Sequence, residues 1–137
     1  MRTSIATVSP SGGLAEKLEA IAAAGFTGVE IFESDLLSFG GTPKGVAGIA
    51  GSLGLKIVTF QPFRDFEGMP EPQRSRTFAR AERKFDLMGE LGCDLLMICS
   101  NVASESLGGI DRAAADFHGL GERGRKRGIR VGFGAPA

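Results

Sequence analysis

The sequence predicts an α/β fold built around a parallel sheet. Helical and strand-like patterns alternate in units of about 30 residues, the usual size of a strand-helix-strand repeat. Each predicted helix ends at a glycine that leads directly into an apolar strand. Four such joints occur, at Ala24-Gly25-Phe26, Leu53-Gly54-Leu55, Leu91-Gly92-Cys93 and Arg127-Gly128-Ile129. Because strands joined through a helix pair in parallel, by a right-handed crossover, the joints predict a parallel sheet.

The predicted elements follow one another without a long interruption. The first strand covers residues 4–8, and Ser11 is placed to cap the first helix, which Gly25 ends. A polar loop at 61–72 separates the third strand from the longest helix. Further strands are predicted at 28–32, 56–60, 94–99 and 129–133, and further helices at 42–53, 73–91 and 110–127.

Glycine is unusually abundant, with 21 residues in the chain. Each glycine inside a helix costs about 0.8–1 kcal/mol relative to alanine. We therefore expect the second and fourth predicted helices to be weak. Their interior glycines are Gly45, Gly48, Gly51, Gly119, Gly121 and Gly124.

Composition and charge exclude several classes of protein. The chain has 16 basic and 16 acidic residues, so it lacks the net positive field that holds a nucleic acid backbone. Its apolar runs are far shorter than the roughly 20 residues that span a bilayer, and its start has no secretory signal pattern. We expect a cytoplasmic protein with no nucleic acid or membrane partner.

The two cysteines and the histidine do not indicate a metal site or a disulfide. Cys93 and Cys99 are six residues apart around a predicted strand, which separates them by about 20 Å. That distance excludes a disulfide between them, so both are expected to be buried, reduced thiols. His118 falls in a predicted helix and is expected on its surface.

The distribution of polar residues favours a barrel over a doubly wound sheet. A doubly wound sheet usually binds its ligand at a glycine-rich turn after the first strand, but residues 9–13 lack the G-x-G-x-x-G pattern. Polar residues instead follow the ends of successive strands, as in barrel active sites. Loop polarity alone could also produce this pattern. The residues are Glu33, Gln61, Arg64, Ser100 and Asn101.

Several segments resemble the bacterial 3-dehydroshikimate dehydratases. The most specific is residues 60–68, F-Q-P-F-R-D-F-E-G, supported by residues 31–33, 80–88 and 99–101. Residues 24–32 are similar to the wider sugar phosphate isomerase/epimerase superfamily, which includes xylose isomerase and AP endonuclease family 2. The resemblance implies a (β/α)8 TIM barrel, in which residues 1–137 form the amino-terminal part of a single domain. This part covers about the first half, from the first strand to the fifth.

The resemblance implies a hydro-lyase that converts 3-dehydroshikimate to protocatechuate and water. In that family a divalent Mg, Mn or Co ion polarises the ring ketone, a base removes the neighbouring proton, and a hydroxyl leaves. The family's first metal ligand is a Glu at the end of the fifth strand, where this chain has Gly134. A full barrel also needs about 250 residues. We therefore expect a truncated chain that alone binds no metal and is inactive.

Arg64 is the candidate for binding the carboxylate of the substrate. A guanidinium group matches a carboxylate with two parallel hydrogen bonds. The alternative is that Arg64 pairs with Asp65 or Glu67 and only holds the loop. Phe63 is a candidate wall for a flat ring pocket, although phenylalanine is more often a core residue.

Three further polar residues are candidates for contact with the substrate ring. The resemblance suggests that Gln61 and Asn101 bind ring hydroxyls and that Glu33 is catalytic, through hydroxyl orientation or proton transfer. The alternative is ordinary loop polarity. Two other functions stay open: a sugar or sugar-phosphate isomerase or epimerase, and a non-catalytic half-barrel. Because five parallel strands cannot close, the open sheet edges also predict a homo-oligomer or aggregate.

Overall fold

The computed structural model describes residues 1–134, in which strands and helices alternate as predicted. The strand order in the sheet is β1-β2-β3-β4-β5, and the pairs β1–β2, β2–β3 and β4–β5 are parallel. The strands are β1 Ser4–Ala6, β2 Gly28–Phe32, β3 Lys56–Phe63, β4 Leu95–Cys99 and β5 Arg130–Gly134. The helices are α1 Leu14–Ala23, α2 Glu33–Ser38, α3 Pro43–Ser52, α4 Gln73–Leu91 and α5 Ile110–Arg125.

Apart from shifts of one or two residues at the ends of elements, such as β1, which stops at Ala6, the structure differs from the predicted elements at three places. Ser11 does not cap α1, because the residue before the helix is Gly13, and Ser11 lies too far back to reach the first amides. Strand β3 continues to Phe63 and so takes in part of the predicted loop. Helix α2 was not predicted. Its Leu36 side chain is buried, and its Asp35 accepts a hydrogen bond from Lys17 of α1.

The first compact unit contains residues 1–61 and 87–94. Its core includes Val29 and Ile31 of β2, whose side chains are fully buried. Between α1 and α2, Lys17 Nζ lies 2.9 Å from Asp35 Oδ1, with both side chains largely buried. Thr42 caps α3 by accepting a hydrogen bond of 3.0 Å from Gly45 N.

The second unit contains residues 62–86 and, within the described chain, residues 95–134. It contains a cluster of aromatic rings, with neighbouring centroids 5.1–6.0 Å apart. The rings belong to Phe63, Phe66, Phe78, Phe117 and Phe133.

After α5, Arg127 donates hydrogen bonds to Glu82 and Asp86 of α4, and the bond with Asp86 raises the pKa of Arg127.

The helix-interior glycines are not all weak points. Gly48 and Gly121 face open space, so alanine would fit at either position. At Gly124 an added Cβ would lie 2.6 Å from the carbonyl oxygen of Ile129. The chain turns back against α5 there, with Ile129 N donating to Gly124 O at 2.8 Å. Gly124 is therefore needed for a close approach of two backbone segments.

The histidine prediction is confirmed, whereas the prediction of two buried, reduced thiols is confirmed in full only for Cys93. Cys93 is buried, Cys99 is half-buried, and both thiols are free. His118 is exposed on α5. Across residues 1–134, every helix is too short or too polar to span a bilayer.

Candidate functional site

In the first unit, Gln61 is held by a carboxylate that the sequence analysis did not single out. Gln61 Nε2 donates a hydrogen bond of 2.9 Å to Glu30 Oε2, and Ser4 Oγ donates one of 3.4 Å to Glu30 Oε1. Glu30, on β2, therefore links Ser4 of β1 to Gln61 of β3. Its position between the fully buried Val29 and Ile31 was the available signal, because alternate residues of a strand face opposite sides.

Glu33 also lies in the first unit, immediately after β2. It is the first residue of α2 and is half-buried. A carboxylate in the first turn of a helix is favoured by the helix dipole, so this position has a structural explanation as well. A catalytic role for Glu33 stays a prediction.

In the second unit, Asn101 joins the loop after β4 to the loop after β3. Its backbone N–H donates to Glu67 Oε1 at 2.7 Å, and its side-chain Nδ2 donates to Glu67 O at 2.6 Å. Its Oδ1 accepts a hydrogen bond of 2.8 Å from Ala103 N. One Nδ2 hydrogen remains for a ligand, but most of the bonding capacity of Asn101 serves to fasten the loops.

A second fastening point lies at Gly68, in the middle of the same β3–α4 loop. Gly68 N donates to Asp116 Oδ2 at 2.9 Å, and Leu107 N donates to Gly68 O at 2.7 Å. Gly68 has φ 75°, and an added Cβ would lie 2.9 Å from Ser106 Oγ. Only glycine suits this position without strain.

Phe63, the candidate for walling a ring pocket, is fully buried in this structure. Its ring centroid lies 5.2 Å from that of Phe66, and the Arg80 guanidinium and the Lys84 ammonium lie 5.1 and 5.3 Å from it. A side chain with no exposed surface offers no face to a ligand. The structure therefore fits the alternative, in which Phe63 is a core residue beneath the loop.

Arg64 is exposed at the start of the β3–α4 loop. The alternative of an ion pair with Asp65 or Glu67 is not found: none of the ion pairs within residues 1–134 includes Arg64. Glu67 Oε1 instead accepts the hydrogen bond from Asn101 N. The Arg64 guanidinium is therefore available to bind an anion.

The described residues do not assemble the ligands of a metal site. Within residues 1–134 there is no group of three or more His, Cys, Asp or Glu side chains that could hold an ion. Gly134, the position of the family's first ligand in the predicted alignment, is the last residue of β5 and pairs with Cys99. An added Cβ at Gly134 would lie 3.5 Å from Met97 Cε, which is an ordinary contact, so a Cβ atom is tolerated there.

Comparison with known proteins identifies a close relative. A 3-dehydroshikimate dehydratase from Pseudomonas aeruginosa is 58% identical over 137 residues, covering 100% of this chain and 22% of the relative. The chain therefore spans less than a quarter of that relative's length.

Solved structures share the fold. A xylose isomerase-like TIM barrel/4-hydroxyphenylpyruvate dioxygenase fusion protein matches with a TM-score of 0.96 and 56% identity, covering 98% of this chain and 22% of that one. The IolI protein, solved with a bound zinc atom, matches with a TM-score of 0.80 at 12% identity, covering 98% of this chain and 51% of that one. That second likeness concerns the fold alone.

The family assignment rests on a match over most of the chain. Residues 18–134 match the family described as xylose isomerase-like TIM barrel. The described strands and helices alternate as in about the first half of such a barrel. The chain therefore belongs to the xylose isomerase-like TIM barrel family.

Proposed function

We propose that the chain is the substrate-binding, amino-terminal part of a barrel enzyme that converts 3-dehydroshikimate to protocatechuate and water. The observation that carries the proposal is the exposed, unpaired guanidinium of Arg64 on a loop fastened at Gly68 and Asn101. The name of the P. aeruginosa relative, at 58% identity, supports the same activity.

Arg64 binds the ring carboxylate of the substrate in this proposal. A guanidinium group forms two parallel, charge-assisted hydrogen bonds with a carboxylate, which fixes both position and orientation. Because the loop is tied to α5 through Asp116 and to the β4–α5 loop through Glu67, Arg64 projects from a preorganised segment. Little ordering entropy is then lost when the carboxylate binds. A neutral sugar would not need this cation, which makes a sugar isomerase the weaker alternative.

The pair of Glu30 and Gln61 provides hydrogen-bonding groups for ring hydroxyls. Glu30 accepts one hydrogen from Gln61 Nε2, which fixes the side-chain amide of Gln61. The amide keeps its carbonyl oxygen and one N–H for a ligand. Glu33, in the same unit, is the candidate for proton transfer. In the second unit, the remaining N–H of Asn101 is a separate candidate for a ring hydroxyl.

The described residues do not fit a divalent metal, although the proposed reaction in this family relies on one. Gly134 has no ligating atom, and residues 1–134 bring no three acidic, His or Cys side chains together. A metal, such as the Mg, Mn or Co expected from the family, would require ligands other than those described. The role proposed for these residues is therefore to bind and orient the substrate.

A segment exchange tests the proposal. Residues 1–134 of this chain, with Gly134→Glu, replace the equivalent segment of the P. aeruginosa relative, and protocatechuate formation is followed by absorbance. We expect the exchanged barrel to form protocatechuate in the presence of Mn²⁺, and we expect this formation to stop when a chelator is added. The same exchange without Gly134→Glu is the matched control and should be much slower. A folded exchanged barrel that leaves 3-dehydroshikimate unchanged would contradict the proposal.

A further inference from the structure

The backbone of the loop that carries Arg64 is bound by a second arginine, which belongs to α4. Arg80 of α4 donates a hydrogen bond from Nη2 to the carbonyl oxygen of Arg64 at 2.6 Å, with a longer contact to the carbonyl oxygen of Asp65 at 3.4 Å. A charged donor strengthens such bonds relative to a neutral one. The two carbonyls belong to the residue proposed to bind the substrate and to its neighbour.

The backbone at this point is in an uncommon conformation. Asp65 has φ 53°, and within residues 1–134 it is the one non-glycine residue with a positive φ. Aspartate visits the left-handed region more easily than most residues, but the surroundings must still stabilise it there. Because Arg80 binds the carbonyl groups on both sides of the Asp65 Cα atom, it favours the turn that Asp65 makes.

Arg80 also packs against the ring of Phe63. Its guanidinium carbon lies 5.1 Å from the ring centroid of Phe63, which is fully buried. Its Nε atom is buried and has no hydrogen-bond partner among the described residues, which is an unfavourable arrangement for a polar group. A planar guanidinium can cover the ring and still reach the carbonyls, whereas the shorter, single-nitrogen side chain of lysine cannot do both.

We propose that Arg80 is a positioning residue that sets the direction in which Arg64 meets the carboxylate of the substrate. This inference rests on the proposed function, since it needs Arg64 to be the carboxylate-binding residue. It adds a requirement to that function: recognition of the acid depends on a side chain that never touches the ligand. Loss of Arg80 leaves the Arg64 guanidinium present but releases the backbone that carries it.

The test compares 3-dehydroshikimate with its neutral methyl ester as ligands of the full 137-residue chain. Dissociation constants are measured for the unaltered chain, Arg64→Ala, Arg80→Gln and the control Arg83→Gln, an exposed arginine on the same helix. We expect the unaltered chain and Arg83→Gln to prefer the acid. Arg64→Ala should reduce that preference about 10- to 150-fold, because the charge-assisted contact is lost, and Arg80→Gln should reduce it about tenfold, because the contact is only misdirected. A merely structural role for Arg80 would weaken acid and ester binding equally and overturn the inference.

Two further measurements separate the possible failures. The backbone chemical shifts of Asp65 should leave their left-handed values in Arg80→Gln, and adding Asp65→Gly should restore part of the acid preference, since glycine adopts this conformation without strain. If Arg80→Gln does not fold, Arg80→Lys supplies the same comparison and should also lose the preference. A chain in which Arg64→Ala loses the preference and folded Arg80 variants keep it would refute the role of Arg80 alone. An unaltered chain without acid preference would refute the proposed function and this inference together.

Discussion

The backbone N–H of Gly68 donates a hydrogen bond of 2.9 Å to the carboxylate of Asp116, a residue 48 positions further along the chain. The other carboxylate oxygen of Asp116 accepts a hydrogen bond of 2.8 Å from Arg74 Nε. Asp116 is only 3% exposed, so both bonds are made largely out of water. Helix α5 contributes no candidate substrate-binding residue, yet it fixes the loop that carries Arg64.

Removal of this carboxylate should destabilise the chain measurably. Asp116→Ala leaves the Gly68 amide and the Arg74 side chain without their acceptor, and hydrogen bonds to charged groups contribute about 1.5–3 kcal/mol each. Arg74 is partly exposed, which lowers its share, so we expect the free energy of unfolding to fall by about 2 kcal/mol. Urea denaturation measures this. Asp111→Ala, at an exposed position of the same helix, should cost below about 1 kcal/mol. Equal losses in both variants would contradict the role given to Asp116.

Glu30 and Gln61 should be energetically coupled. Their side chains form a part-buried hydrogen bond of 2.9 Å, so replacing either with alanine removes the same interaction. A double-mutant cycle of Glu30→Ala and Gln61→Ala should give a coupling energy of about 1 kcal/mol. The exposed Glu19 of α1 serves as control: Glu19→Ala and Gln61→Ala should be additive. A coupling energy near zero for the first pair would show that the amide of Gln61 is not held by Glu30.

Two glycines in α5 should respond in opposite ways to alanine. Gly121 faces open space, so Gly121→Ala should stabilise the chain by about 0.5–1 kcal/mol through helix propensity. Gly124→Ala would place its Cβ 2.6 Å from a backbone oxygen of Ile129 and should destabilise the chain by about 1–3 kcal/mol. Thermal unfolding of the two variants checks both signs. Stabilisation by Gly124→Ala would mean that the chain does not turn back against α5 as described.

The open sheet edges predict self-association. Edge strands leave backbone groups without partners, and Phe133 of β5 is 55% exposed despite its contact with Phe117. Light scattering at tens of micromolar should show a dimer or larger species, and Phe133→Lys should reduce it. A sharp monomer peak with a cooperative melt would count against this prediction.

The sequence predicted regular elements well where spacing alone decides them. Helix α4 was predicted at 73–91 and is found at Gln73–Leu91, because its buried residues follow helical spacing and Gly92 stops it. Glu30 was missed because the sequence of one strand does not show which residues of the adjacent strands lie beside it. Arg80 and Asp116 were missed because their partners lie 15 or more positions away, and single-sequence patterns contain no such distances.

The candidate site was predicted only in part, for a related reason. Arg64 was identified from its motif, and the structure adds that its guanidinium is exposed and unpaired within residues 1–134. The same motif suggested Phe63 as a ligand contact, but ring packing against Phe66 and Arg80 buries it completely. Residue type indicated the chemistry, and only packing could show which side chains are accessible.

The most direct test of the account is the effect of Arg64 substitutions on kcat/KM in the exchanged barrel carrying Gly134→Glu. Arg64→Ala removes a charge-assisted, two-bond contact with the substrate carboxylate, so kcat/KM for 3-dehydroshikimate should fall about 10- to 150-fold. Arg64→Lys keeps the charge but not the planar fork and should fall by a similar factor. If both variants fold normally and retain the kcat/KM of the parent barrel, Arg64 does not recognise the substrate and the central claim is contradicted.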